Sequence, residues 1–137
     1  MRPFHLAFSV DNLEKTREFY TNVLGCKEGR SSDKWVDFDM YGHQVVAHLV
    51  SKLATVQTNA VDGYEVPASH FGVILEMADW QILSQRLKDS NMDFIIDPHI
   101  RFKGEAGEQA TMFFLDPCGN ALEFKSFKND NKIFSKD

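Results

Sequence analysis

Cysteine is scarce in this chain, with Cys26 and Cys118 the only two. Two are too few for a disulfide scaffold, and neither sits in a C-x-x-C pair, so both are expected as free thiols in a reducing cytosol. Basic residues are short as well, 15 Lys and Arg against 20 Asp and Glu, for a net charge of −5. A nucleic-acid footprint needs clustered cations, so no nucleic-acid partner is expected. No apolar run approaches the ~20 residues of a membrane-spanning helix, and Met1-Arg2-Pro3-Phe4 opens no apolar signal segment. A cytoplasmic location without a membrane partner is the resulting expectation. Tryptophan occurs only twice, but phenylalanine occurs twelve times and 43% of the chain is hydrophobic, which excludes disorder for the bulk of it. A length of 137 residues fits one domain or two small modules sharing a core.

The pattern of strands and helices occurs twice. Phe4 to Val10 reads as a buried strand, and Asp11 then opens a helix, with Glu14 three residues on as in a capping box. Leu13, Thr16, Tyr20, Val23 and Leu24 recur at helical spacing, and Gly25 supplies the left-handed residue that ends the helix. Lys27–Arg30, Trp35–Met40 and Gln44–Val50 read as strands, the last two joined by a hairpin at Tyr41-Gly42. Ser51–Pro67 lacks a strong pattern and is expected as a connection, a lid or a dimer arm. Ser69–Met77 reads as a strand, Asp79 as the cap of a helix lined by Trp80, Leu83 and Leu87, and Asn91 as its end. Phe94–Ile96 is a strand core broken by Asp97-Pro98-His99, and Ile100–Gly107 is a strand edge with a loop. Gln109–Leu115 and Asn120–Phe127 close the set around the turn Asp116-Pro117-Cys118-Gly119. The expected organisation is a first βαβββ module over residues 1–50, a connection over 51–67, a second βαβββ module over 68–128 and a polar tail over 129–137.

The repeat can be counted. His5 onward superimposes on His70 onward at an offset of 65 residues, and Asp39–Gly42 superimposes on Asp116–Gly119 at an offset of 77. Both modules thus begin with a histidine-led strand, and the final strand carries Glu123 among Leu122, Phe124 and Lys125. A carboxylate in such a strand is costly to bury unpaired, and a metal ion removes that cost. His5, His70 and Glu123 are therefore the candidate metal ligands. Two His and one carboxylate with open positions suit divalent iron or manganese.

These residues resemble the vicinal oxygen chelate superfamily: glyoxalase I, type I extradiol dioxygenases, fosfomycin-resistance enzymes and bleomycin-resistance proteins. The resembling segments are His5–Val10 with Thr16–Tyr20 and Leu24-Gly25, then Ser69–Val73, then Phe114–Phe124, which has an F-x-D-P-x-G-N-x-x-E-F type ending. The resemblance implies an α+β fold of two tandem βαβββ modules, a curled mixed sheet around a metal cup, and a homodimer. It implies His5, His70 and Glu123 as ligands of a divalent metal, Fe2+ first, with Mn2+, Zn2+ or Ni2+ as alternatives. Glyoxalase I has a fourth, carboxylate ligand; its place here is Val46, which cannot bind metal and which favours the three-ligand members.

The resemblance implies bidentate chelation of a small substrate through vicinal oxygens. The candidates for the pocket are His48 and Arg101 as catalytic groups, with Trp35, Tyr41, Lys103 and Gln109 as substrate-binding groups. Arg101 and Lys103 are suited to an anion. His43 and His99 are expected at the surface. The expected function is that of a small extradiol-dioxygenase-like enzyme acting on a catechol-like substrate. The alternatives are a glyoxalase- or fosfomycin-resistance-type lyase, isomerase or transferase, and a non-catalytic small-molecule binder.

Overall fold

A computed structural model describes residues 1–136. The chain divides into two compact units, residues 1–56 with 115–120, and residues 57–114 with 121–136. The expected α+β class and the tandem βαβββ order are both observed, in two four-stranded mixed sheets of the same topology. No helix among the described residues is long and apolar enough to cross a membrane.

In the first unit, β1 (His5–Val10) lies parallel to β4 (His43–Leu49), followed across the sheet by β3 (Trp35–Met40) and β2 (Lys27–Ser31). Alternation along the strands sends Val10, Val36, Phe38, Met40, Val45 and Ala47 to the buried side. There Tyr20 stacks on Phe38 at 5.0 Å and tilts against Phe8 at 5.4 Å. The helix α1 (Leu13–Glu18) continues as a π-helical turn over Phe19–Val23 and ends at Gly25, whose φ of 80° is left-handed as expected. Its cap is Asn12 rather than Asp11: the Asn12 side chain accepts the Lys15 amide at 2.9 Å. The β3–β4 turn has φ of 51° at Tyr41 and 88° at Gly42, the two left-handed residues of a tight hairpin.

The same unit contains the turn Leu115–Asn120, whose anchor is Asp116. One of its oxygens accepts the Cys118 and Asn120 amides, each at 2.9 Å; the other accepts the Tyr20 hydroxyl at 2.8 Å and the Asn120 side-chain amide at 3.0 Å. Asn120 also donates to the Ser9 carbonyl at 2.9 Å. Burial pushes the Asp116 carboxyl above its usual range, and the donors from Asn120, Tyr20 and Cys118 pull it back only in part. Burial also pushes the Tyr20 hydroxyl well up, with the neighbouring Asp116 adding to the effect.

In the second unit, β7 (His70–Phe71) lies parallel to β10 (Ala121–Phe127), followed by β9 (Gln109–Leu115) and the edge strand β8 (Phe94–Arg101). The helix α2 (Met77–Asp89) packs Trp80, Leu83 and Leu87 inward, and Trp80 donates its indole N–H to the Phe124 carbonyl at 2.9 Å. The helix starts at Glu76, with no side-chain cap; Asp79 falls in its first turn, where a negative charge suits the helix dipole. Asn91, at φ 56°, follows its end.

Three strand segments also differ from expectation. β7 is two residues long rather than nine, with one further bridge at Ile74. β8 runs through Asp97-Pro98-His99 with an irregular register, because an edge strand tolerates a proline that has no N–H to give. The connection contains a hairpin, β5 (Thr58–Val61) and β6 (Tyr64–Pro67), turning at Asp62-Gly63 with φ of 50° and 84°. Val66 of this hairpin packs with Ile96, Phe113 and Ala121 on the second sheet.

Asp116→Asn removes an acceptor from this buried cluster and is expected to cost about 1–3 kcal/mol, read as a lower urea midpoint at unchanged slope. The folded-state carboxyl titrates above the unfolded one, so its contribution favours the fold fully at low pH and is lost as pH rises through the raised value. The cost of Asp116→Asn is therefore expected to be largest below about pH 4 and to shrink toward neutrality.

Candidate metal centre

Strand pairing sets the second module's part of the site. His70 pairs with Ala121 in the parallel β7–β10 ladder. Glu123, two residues further along β10, returns to the same face. The result is His70 Nε2 at 3.1 Å from Glu123 Oε2. Gly72 makes the approach of β7 to β10 feasible, since a Cβ there would fall 1.7 Å from the Glu123 carbonyl oxygen. The His70 ring lies against Phe113 at 4.9 Å between centroids.

Each donor is oriented by a neighbour. His70 Nδ1 lies 3.0 Å from the Pro67 carbonyl, at the end of the β5–β6 hairpin. A carbonyl only accepts, so Nδ1 carries a proton, and in the neutral ring Nε2 keeps its lone pair. Glu123 Oε1 accepts the Thr111 hydroxyl at 2.8 Å, and the Lys125 ammonium stands 3.6 Å from the same oxygen.

The first module prepares His5 in the same way. Asp37 Oδ2 accepts the Gln44 side-chain N–H at 3.1 Å, and Gln44 Oε1 lies 2.7 Å from His5 Nδ1. The carboxylate at one end fixes the orientation of the amide, so Gln44 presents an acceptor to His5. Nδ1 must then be the donor and Nε2 the free donor atom for a metal. His5 is exposed. Its ladder partner is Gln44, and two residues beyond Gln44 stands Val46, 5% exposed, where the second module has Glu123 two beyond Ala121.

A divalent ion fits this donor set. Imidazole nitrogen and carboxylate oxygen suit iron, manganese, zinc or nickel. His70 Nε2 and Glu123 Oε2 stand 3.1 Å apart, so both would be within reach of one ion. Among the described residues of one chain, no three His, Cys, Asp or Glu side chains form a group able to hold a metal ion.

The other sequence candidates are distributed as follows. His48 is exposed on the same face of the first sheet as His5, with Trp35 beside it on β3. Tyr41 is exposed at the β3–β4 turn. Arg101 is engaged by Asp62 of the hairpin turn: Nη2 donates to Oδ1 at 3.2 Å, and Nε lies 2.9 Å from Oδ2 at a bent angle, a close charge contact rather than a good hydrogen bond. Its guanidinium also covers the Phe102 ring at 4.5 Å. Lys103 is exposed in the loop after β8, and Gln109 is buried at the start of β9. His43 accepts the Phe4 amide at 2.9 Å, and His99 is exposed. Gln44, Asp37, Thr111 and Lys125 escape the sequence argument. Gln44 and Lys125 share a face with Val46 and Glu123 in the strand alternation, but nothing in the sequence marks Thr111 or Asp37.

A model of the Glyoxalase/Bleomycin resistance protein/Dioxygenase superfamily matches residues 2–124. The chain is similar to a solved glyoxalase/bleomycin resistance protein/dioxygenase of Alicyclobacillus acidocaldarius, 31% identical over 96% of each chain with a TM-score of 0.79. An integron cassette protein from the mobile metagenome of the Halifax Harbour sewage outfall is 26% identical over 91% of this chain and 97% of its own, with a TM-score of 0.67. A genomically encoded fosfomycin resistance protein of Listeria monocytogenes shares the fold, at 19% identity over 94% of this chain and 95% of its own, with a TM-score of 0.70.

The orienting partners give a direct prediction. Thr111→Val and Gln44→Leu are each expected to weaken divalent-metal affinity by about 10–100-fold, measured by competition with a chelator, while the fold is retained by circular dichroism.

Proposed function

We propose, for a chain that belongs to the glyoxalase/bleomycin resistance protein/dioxygenase superfamily, metal-dependent chemistry on a small substrate with two vicinal oxygens, in an extradiol-dioxygenase-like manner on a catechol-like ring. Superfamily members are mostly metal-dependent enzymes, among them lyases, transferases and dioxygenases. The observation that carries the proposal is the His70–Glu123 pair at 3.1 Å, with the histidine's other nitrogen tied to Pro67. His5 supplies the third ligand, from a second chain of a homodimer, so that two His and one carboxylate hold a divalent ion, iron by preference.

When bound, the ion supplies Lewis acidity to a vicinal hydroxyl of the substrate and, as iron, redox chemistry with dioxygen. The chain's own residues do the rest. Thr111 and Pro67 hold Glu123 and His70 in the orientation that presents their donor atoms. His48 is the proposed acid or base that moves the substrate hydroxyl proton, with Trp35 at its side as an apolar wall. Tyr41, Lys103 and Gln109 are the proposed substrate contacts. Arg101, clamped to Asp62, acts by keeping the β5–β6 hairpin, and with it the Pro67 carbonyl, in place.

Val46 argues against a glyoxalase I site, since its methyls occupy the place of a ligand and cannot coordinate. The alternative is a fosfomycin-resistance-type lyase or transferase. Fosfomycin resistance proteins of Listeria monocytogenes and Mesorhizobium loti are among the solved structures that share the fold.

Anaerobic purification followed by metal analysis and addition of catechol separates the two. Retained iron with a visible catechol charge-transfer band is the expected result. Tightly held zinc or nickel with no such band contradicts ring cleavage.

A further inference from the structure

Beside Glu123 the second unit carries a cleft of about 480 Å³, within the size range of small-molecule sites. Its walls include Phe102 and Gln109, Lys125 and Phe127 of β10, and Lys132 and Ile133 just after the last strand. Lys125 and Lys132 thus line the cleft together with the apolar Phe102, Phe127 and Ile133 and the polar Glu105, Gln109 and Ser135. Lys125 joins the cleft to the candidate metal centre. Its Nζ stands 3.6 Å from Glu123 Oε1, beyond good hydrogen-bond length, and that oxygen is already held by Thr111 at 2.8 Å.

A second observation points independently to a ligand. Gln109, only 8% exposed, lines the same cleft, and its Oε1 has no hydrogen-bond donor among the described residues. Its Nε2 reaches only the Gly107 carbonyl, at 3.4 Å. A buried amide oxygen without a donor is costly, and native structures rarely leave one so. A ligand hydroxyl or N–H satisfies it.

We infer that the cleft binds an acidic substrate with an apolar body. The anionic head, a carboxylate, phosphonate or phosphate, pairs with Lys125 and Lys132. The hydrocarbon lies on Phe102, Phe127 and Ile133, and a donor group meets Gln109 Oε1. This rests on Glu123 being a ligand of the active centre and adds the charge class of the substrate.

The test is calorimetric titration of the full, chelator-stripped protein at low ionic strength with benzoate and with its neutral analogue benzyl alcohol. Benzoate is expected to bind about tenfold tighter or more, and Lys125→Gln to remove that preference while Lys125→Arg keeps it. Unchanged thermal unfolding of Lys125→Gln shows that the fold is intact. Glu123→Gln is expected to strengthen benzoate binding, because the competing carboxylate is gone, and to abolish metal binding. Equal affinity for the two probes, or a benzoate affinity indifferent to Lys125→Gln, overturns the anion site. Metal retained by Glu123→Gln, with the benzoate preference intact, overturns the metal centre and leaves the anion site standing.

Discussion

The parallel pairing of first strand to last strand within each module is the constraint on which the rest depends. It sets a histidine at the head of one strand beside a fixed position on the other, so that the residue two places on falls on the same face. Nothing local to either strand does this. In the second module the ladder is short and is drawn in at Gly72, which has no Cβ to hold β7 away from the Glu123 backbone. The turn that leads into β10 is anchored by Asp116, which gathers four donors. A carboxylate buried at that depth raises its own pKa, so the turn is held at an electrostatic cost that its donors only partly offset.

The same ladder in the two modules yields different chemistry. Val46 closes the first module's position with apolar packing, while Glu123 places a carboxylate beside His70 at the second module's position. Both histidines are nonetheless prepared alike, each with Nδ1 committed to an acceptor: the Pro67 carbonyl for His70 and Gln44, itself held by Asp37, for His5. The arrangement leaves Nε2 of each ring available, as a metal ligand would require, and the exposed His99 shares it, with Nδ1 2.9 Å from the Asp97 carbonyl.

Much of this was legible from residue spacing. The offsets of 65 and 77 residues correspond to the observed ladders: His5 opposite Gln44 and His70 opposite Ala121 differ by those same intervals. The helix faces of Trp80, Leu83 and Leu87, and the left-handed Gly25, also follow from periodicity and cap chemistry. What was not legible depends on tertiary pairing. The hairpin over Thr58–Pro67 has a short-range marker in Asp62-Gly63, a strong hairpin dipeptide, but its strands are short and mostly exposed, so no clean alternation announces them. Proline at 98 looked like a stop because an edge position cannot be told from sequence. Asn12 displaces Asp11 as the helix cap because either side chain is chemically competent and the backbone decides. Thr111 contacts Glu123 through the β9–β10 pairing, which no spacing rule discloses. Arg101 has the charge for a substrate anion, yet Asp62, distant in sequence, engages it.

One divalent ion per site, held by His70 and Glu123 of one chain and His5 of another, is the proposed arrangement. The most direct measurement is the metal content of two variants, His5→Ala and His70→Ala, alone and after the two chains are co-expressed and purified as a mixed dimer. Neither variant alone is predicted to hold metal, and the mixed dimer is predicted to regain it, because one of its two sites receives an intact His5 from one chain and an intact His70–Glu123 pair from the other. Metal retained by either variant alone contradicts the ligand set, and a mixed dimer that stays empty contradicts a site shared between chains.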